Sequence, residues 1–278
     1  MSVAEGDWRA TNRANWDERV ALHLRAPIYE IDSLRAGHGR LNPIEEAELG
    51  PVAGLRVLHL QCHFGRDSLI LAQRGAEVVG LDFSRPAIAA ARRLADDLGL
   101  AGRARFVEAD LYDAPIAIPE PQAFDLVFVT WGALCWLPDI RRWAAIVAHF
   151  LRPGGALYLA EGHPSALVLD DAAPAQGDMP GWFVPYFLEG PLALEDPVDY
   201  ADDSARLRNA RTYEWMHQVG AVVTALIEAG LALRWLHEHD AVPWRMFKLL
   251  VEGEDGLWRW PDQPWLPLAF SLRAERPS

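Results

Sequence analysis

Apolar residues recur across residues 56–161 with a spacing that switches between strand and helix periods. Val57, Leu58 and Leu60 form a short run after the turn-like Pro51-Val52-Ala53-Gly54, which predicts a strand buried on both faces. Gly65 frees the backbone for a sharp turn, and Leu69, Ile70 and Ala72 then predict a helix that begins at that turn. A second strand over residues 76–82 ends in the carboxylate of Asp82. Ser84 reads as the N-cap of a helix over residues 85–98, with Pro86 in its first turn. A third strand over residues 105–110 closes on Asp110, and a fourth over residues 124–130 is rich in β-forming side chains. Pro138-Asp139 opens a helix to residue 151, and Arg152-Pro153-Gly154-Gly155 turns the chain into a fifth strand over residues 156–161. Strands alternating with helices imply right-handed crossovers and a parallel, doubly wound α/β sheet.

The flanks follow other rules. Trp8, Trp16, Val20 and Leu24 space a helix over residues 7–25 that Pro27 ends; residues 29–39 read as irregular. Asn42 is positioned to cap a short helix over residues 41–49 that starts with Pro43. This leader, residues 1–50, either covers the ligand site or flanks the sheet. Beyond residue 161 the rhythm breaks: residues 163–200 hold six prolines and the aromatics Trp182, Phe183, Tyr186, Phe187 and Tyr200. A long aperiodic segment inside an α/β domain reads as a functional loop. A helix resumes over residues 215–228, Gly230 caps it, and a sixth strand covers residues 231–239. Residues 241–266 are again rich in Pro and Trp, and residues 268–274 form a last strand. The expected organisation is one domain over residues 51–278 with insertions at about 163–213 and 241–266.

Charge narrows the partners. The 278 residues carry 26 basic and 39 acidic side chains, a formal charge of −13. Such a surface repels nucleic acid and anionic membrane at long range. The opening residues lack the basic and apolar blocks of a signal peptide, and no stretch reaches about 18 apolar residues, so a cytoplasmic location is expected. Cys62 and Cys135 are the only cysteines, which fits buried free thiols in a reducing compartment. Cys62 adjoins His63, but no further ligands stand at zinc-like spacing, so no metal is expected.

The turn after the first strand carries the first chemical signal. Backbone N–H groups and the positive end of a helix dipole converge there on an anionic or electron-rich group. Asp82 lies 21 residues after Gln61, about where a nucleotide-binding fold places the acid that holds the ribose hydroxyls. The dinucleotide pattern GxGxxG would need glycine at Gln61, His63 and Arg66, which disfavours a nicotinamide oxidoreductase. The pattern GxGxG of S-adenosylmethionine (SAM) enzymes fits better, as Gln61, His63 and Gly65. A SAM-binding protein without catalysis is the other alternative.

The succession of motifs resembles class I SAM-dependent methyltransferases over residues 56–161. His59-Leu60-Gln61-Cys62-His63-Phe64-Gly65, Val79-Gly80-Leu81-Asp82-Phe83-Ser84, Glu108-Ala109-Asp110-Leu111, Phe124-Asp125-Leu126-Val127 and Leu151-Arg152-Pro153-Gly154-Gly155 carry the resemblance. It is similar to a bacterial small-molecule branch with the first motif Leu-His-Leu-Gln-Cys-His-Phe-Gly. The resemblance implies a Rossmann-like, seven-stranded sheet whose last strand is antiparallel and inserted beside the fifth. It also implies an enzyme that uses SAM, releases S-adenosylhomocysteine and methylates an N or O atom. The acidic charge and the aromatic loops add the expectation of a small aromatic or apolar acceptor, and a monomer or homodimer is expected. Gln61, Cys62, His63 and Gly65 would pack against the methionine part of SAM, and Asp82 would take the ribose. Phe83 and Leu111 would lie along the adenine, with Asp110 on its amino group and Thr130 near the methyl. The family usually has an acid at position 59 and glycine at 61 and 63, so side chains of this loop would touch cofactor or substrate.

Methyl transfer is an in-line displacement, and it needs a general base only when the acceptor loses a proton before attack. His163, Glu161 and His217 are the candidates, with Asp139 behind them. Trp16, Trp131, Trp136, Trp182 and Tyr186 are the expected substrate-binding residues, because aromatic side chains in Pro-rich loops favour a ring-binding cleft.

Overall fold

The structure, a computed structural model, describes residues 7–175, 177 and 179–278, so the opening residues that bear on a signal peptide lie outside it. Its centre is a seven-stranded sheet. In chain order the core strands are β1 (Arg56–Leu60), β2 (Glu77–Asp82), β3 (Ala104–Glu108), β4 (Phe124–Thr130) and β5 (Leu151–Gly162). Short strands follow in the insertion: β6 (Leu169–Asp170), β7 (Gly181–Trp182), β8 (Leu192–Glu195), β9 (Val198–Asp199), β10 (Asp202–Arg206) and β11 (Arg211–Glu214). The chain closes with β12 (Ala232–His239), β13 (Ala241–Val242), β14 (Val251–Glu252), β15 (Trp258–Arg259) and β16 (Ala269–Glu275). The sheet order is β12-β16-β5-β4-β1-β2-β3, with β16 antiparallel to both neighbours and β1 to β5 parallel. The antiparallel last strand beside the fifth is the expected arrangement.

The period of two along each strand sorts the core into two layers. Leu58, Leu60, Val127, Val129, Leu157 and Leu159 face one layer with α7 (Ile140–Phe150) and α8 (Val219–Glu228). Val57, Val78, Leu126, Phe128 and Tyr158 face the other with α4 (Arg66–Gln73) and α5 (Arg85–Asp97). Ser84 Oγ accepts the Ala87 amide at 3.3 Å, so that predicted cap forms, whereas Asn42 precedes the helix at Pro43 without a side-chain cap bond. Asp139 Oδ1 caps its helix by accepting the Arg142 amide at 2.9 Å. The leader supplies α1 (Asp7–His23), α2 (Ile31–Arg35) and α3 (Pro43–Glu48); a short α6 (Ala114–Ala117) follows Asp110.

Four local expectations are corrected. Residues 29–39 are not irregular throughout, because buried Ile31 and Leu34 close α2 against the second layer. Asp110 leaves β3 and instead caps the turn Leu111–Asp113, accepting the Tyr112 amide at 2.9 Å. Residues 152–155 do not only turn the chain. They continue β5 as a bulge between the pairs Phe124–Leu151 and Leu126–Ala156, held by Gly154 and Gly155 bonding Arg276 of the chain end. The insertion is built of hairpins, β6–β7, β8–β11 and β9–β10, whose two- to five-residue strands are too short to register as a period in a Pro-rich sequence.

Gly80 sits in β2 where a methyl group would stand 2.7 Å from Phe106 Cδ1 and 2.8 Å from Cys62 Sγ. Overpacking there should cost about 1–3 kcal/mol. Gly80→Ala is expected to lower the urea midpoint accordingly, and Phe106→Leu in the same chain to recover part of the loss.

Candidate active site

The carboxyl ends of β1, β2, β3, β4 and β5 define one crevice, and its floor is the turn after β1. Gln61, His63 and Gly65 all adopt left-handed backbone, with φ of 57°, 50° and 75°. The family glycine pattern therefore survives as conformation at two positions where glycine itself is absent. Phe106 Cε1 would lie 2.5 Å from a Cβ at Gly65, so this third position excludes a side chain on space as well as on φ. Gln61 Nε2 donates to the Ala133 carbonyl at 2.8 Å, which fixes the amide orientation and leaves Oε1 buried without a hydrogen-bond partner. Cys62 is buried, and burial pushes its thiol up.

Asp82 is buried at the end of β2. Its Oδ2 accepts the His63 amide at 2.9 Å and its Oδ1 that of Ser84 at 2.8 Å. Burial, only partly offset by those amides, raises its carboxyl to about 6. Arg13 lies 5.7 Å from the Phe83 ring centroid, Asp17 accepts from Ser84 Oγ at 2.6 Å, and Arg9 approaches Asp110 to 3.4 Å. These contacts set α1 against the residues that follow β2 and β3. His59, where an acid is usual, bonds Ser68 Oγ at 2.9 Å and is held neutral by burial, near 4.

A buried polar network joins leader, turn and insertion. His23 Nε2 lies 3.0 Å from Asp199 Oδ2, and His23 Nδ1 lies 2.9 Å from His63 Nε2 and 3.0 Å from the Tyr29 hydroxyl. Tyr29 and Tyr200 join their hydroxyls, and Arg19 reaches Asp199 at 3.1 Å. Against the upward push of burial, the His23 hydrogen bond and the charges of His23 and Arg19 hold the Asp199 carboxyl below its usual range. Trp16 packs edge-on against His63 at 5.3 Å and Trp136 at 5.4 Å. His23 and Asp199 were missed in the sequence because 176 residues separate them and each sits in an unremarkable local context.

The expected catalytic groups are engaged in holding loops. Glu161 accepts the amides of Gly132, Ala133 and Leu134 at 2.6–2.7 Å; burial outweighs these amides and raises its carboxyl. His163 is bonded on both ring nitrogens, to Ser165 Oγ at 2.7 Å and Glu238 Oε1 at 3.0 Å. His217 Nε2 donates to the Leu137 carbonyl at 2.7 Å. Thr130 is buried at the end of β4, followed by Trp131 with a left-handed φ of 45°. Trp131 Nε1 donates to Glu45 Oε1 at 2.8 Å. Trp182 stands 73% exposed, apart from the ring cluster of Trp16 and Trp136, and Tyr186 packs edge-on against Phe187. Among the described residues, no three His, Cys, Asp or Glu side chains group to hold a metal, and no helix is long and apolar enough to cross a membrane.

With this geometry in view, the comparisons with known proteins agree. The family profile described as methyltransferase domain matches residues 57–155. A demethylmenaquinone methyltransferase of Beutenbergia cavernae is 31% identical over 187 residues, 66% of this chain and 68% of that protein. One of Thermus thermophilus is 39% identical over 112 residues, 39% of this chain and 48% of that protein. The crystal structure of an S-adenosylmethionine-dependent methyltransferase from Mesorhizobium loti superposes with a TM-score of 0.59 at 25% identity, covering 84% of this chain and 96% of that one. The chain belongs to the SAM-dependent methyltransferases. It spans about half the length of the first curated relatives it matches.

Two titrations test the crevice. Glu45 is fully buried, its Oε2 has no partner, and burial raises its carboxyl to about 8. The folded state therefore keeps a proton that the unfolded chain has lost above its ordinary value of 4.5. Stability attributable to Glu45 falls as pH rises towards 8, by at most about 1.4 kcal/mol per pH unit. Glu45→Gln is expected to flatten that slope in denaturation measured from pH 5 to 8. Asp199 has the opposite sign: its contribution is present above the unfolded pKa and is lost as pH falls through the lower folded one. Asp199→Asn is expected to speed amide exchange in α1, the more so relative to wild type at neutral pH than in acid.

Proposed function

We propose that the chain transfers a methyl group from SAM to a small aromatic or apolar acceptor, with S-adenosylhomocysteine as the second product. The observation that carries this reading is the turn at Gln61, His63 and Gly65. Its left-handed backbone follows the glycine pattern of the fold, and a buried unpartnered acceptor, Gln61 Oε1, stands within it. An ammonium group of the ligand would satisfy that oxygen. Each oxygen of Asp82 spends one lone pair on an amide and keeps capacity for a ribose hydroxyl. Phe83 and Leu111 would flank the adenine and Asp110 accept from its amino group, while Cys62, His63, Gly65 and Thr130 line the methionine end. The residues present thus fit SAM, which when bound supplies an electrophilic methyl on a sulfonium.

What the protein adds is alignment and dryness. Trp16 packs on His63 and is backed by Trp136, and the His23–Asp199 pair fastens α1 to the insertion. Glu161 draws the amides of residues 132–134 together, which sets the approach to the acceptor side. We read Glu161, His163 and His217 as supports of these loops, because using any of them as a base would break the bonds just described. The acidic surface favours a small molecule over nucleic acid as partner, and a cytoplasmic monomer or homodimer fits it.

Losing a charged acceptor should weaken binding by about 1.5–3 kcal/mol. Calorimetry is expected to show SAM affinity falling about 10- to 100-fold in Asp82→Ala. An unchanged affinity refutes the ribose role, and wild-type protein that binds neither SAM nor its product refutes the function.

A further inference from the structure

We infer that the cavity beneath the insertion binds an amine with an apolar body, and that this amine is the methyl acceptor. The cavity measures about 320 Å³, within the range of small-molecule sites. Leu167, Leu169, Phe183, Leu194, Met246 and Phe247 form its apolar walls. Cys135, in the loop after β4, is part of its lining. Met246 Cε would lie 3.6 Å from a Cβ at Gly162, the last residue of β5. The cavity therefore borders the ends of β4 and β5, whereas Gln61, Asp82 and Asp110 stand at or just beyond the ends of β1, β2 and β3. Open α/β sheets bind ligands in the crevice outside the carboxyl ends of the strands where the strand order reverses, and here that point lies between β1 and β4.

Charge selects the class of ligand. The ionisable carboxylates on the lining are Asp170, Asp171 and Glu214, and no Lys or Arg lines it among the described residues. Asp170 Oδ1 is spent on the Ala172 amide at 2.6 Å and Asp171 Oδ2 on the Lys248 amide at 2.8 Å. Glu214 is different. Its hydrogen bond is a long one, from Thr212 Oγ1 at 3.5 Å. The cation that acts on it, Arg19, is already committed to Asp199 at 3.1 Å and Asn15 at 2.7 Å. Burial raises the Glu214 carboxyl despite Arg19, so its charge lacks compensation. An ammonium on an apolar body supplies that compensation and fills the walls; an anion would meet three acids and no cation.

The word acceptor rests on the methyl-transfer reading, in which the bound ammonium first gives its proton to the Glu214 carboxylate. The freed nitrogen lone pair then takes the methyl as the carbon–sulfur bond breaks and S-adenosylhomocysteine leaves. The binding claim does not rest on that reading. The probes are 4-phenylbutylamine, 4-phenylbutanol and 4-phenylbutyrate, titrated calorimetrically into the full chain with and without S-adenosylhomocysteine. The amine is expected to bind about tenfold or more tightly than the other two. Glu214→Gln, which keeps shape, should bring the amine down to the level of the alcohol and leave the alcohol unchanged. Leu167→Arg, at a position 40% exposed and therefore tolerant, should turn the preference towards the butyrate. Equal binding of amine and butyrate by the wild type, or an amine affinity untouched in Glu214→Gln, overturns the inference. The S-adenosylhomocysteine arm reports separately on the cofactor, so a failed cavity and a failed methyl-transfer reading give different patterns.

Discussion

The hydrogen bond from the His63 amide to Asp82 Oδ2 fixes the end of β1 to the end of β2. It forms only because Gln61 and His63 accept left-handed backbone, which turns the amide of residue 63 towards the neighbouring strand. A second bond, from the Cys62 amide to the Leu81 carbonyl at 2.9 Å, keeps the two strand ends in register. Everything at the crevice is referred to this pair. The carboxylate is oriented by it, α4 starts from it, and α1 is set against the residues beyond it through Ser84, Phe83 and Asp110.

Above the turn the chain places an unusual density of buried polar groups. His23 and Asp199 are both fully buried, and Arg19 nearly so. Breaking such a network strands a charge, which costs far more than the intact network contributes. Its value here is placement. Side-chain bonds between His23, Asp199, Asn12, Asn15 and the backbone of residues 209 and 213 tie the N-terminal helix to the Pro-rich insertion, beside the packing of Trp8 against Trp215. On the proposed methyl-transfer reading, such a tie would hold the leader and insertion over the sulfonium, where water is a competing nucleophile.

The sheet was legible because its signals are local and strong. The apolar run at Val57, Leu58 and Leu60, the β-formers of residues 124–130 and the Ser84 and Asp139 caps each act over a few residues. Asp82 reads from the sequence as the acid that closes an apolar strand, and it does stand at the end of β2, whereas the cap that takes Asp110 out of β3 was not legible. The insertion was not, since hairpins of two to five residues are set by pairing partners far along the chain. His163 shows the limit of residue chemistry alone: its ordinary pKa suggests a base, while Ser165 and Glu238 occupy its ring. Glu214 and Glu45 carry no sequence signal at all, because only the tertiary fold removes their water.

The three non-glycine residues in left-handed backbone around the crevice, Gln61, His63 and Trp131, each cost on the order of 1–2 kcal/mol relative to glycine's freedom there. Each side chain makes a bond that glycine could not. Gln61 reaches Ala133 in the loop after β4, His63 reaches His23 of the leader, and Trp131 reaches Glu45 of α3. The strained positions thus sit on both sides of the point where strand order reverses, and each ties its loop to another part of the chain. Strain concentrated there and offset by bonds made elsewhere is the pattern of a site held open for a ligand. The same bonds explain why the turn can depart from the glycine pattern of its fold without losing its shape. The backbone conformation is retained, and the side chains that replace hydrogen convert a bare cradle into one joined to the leader and to the loop after β4.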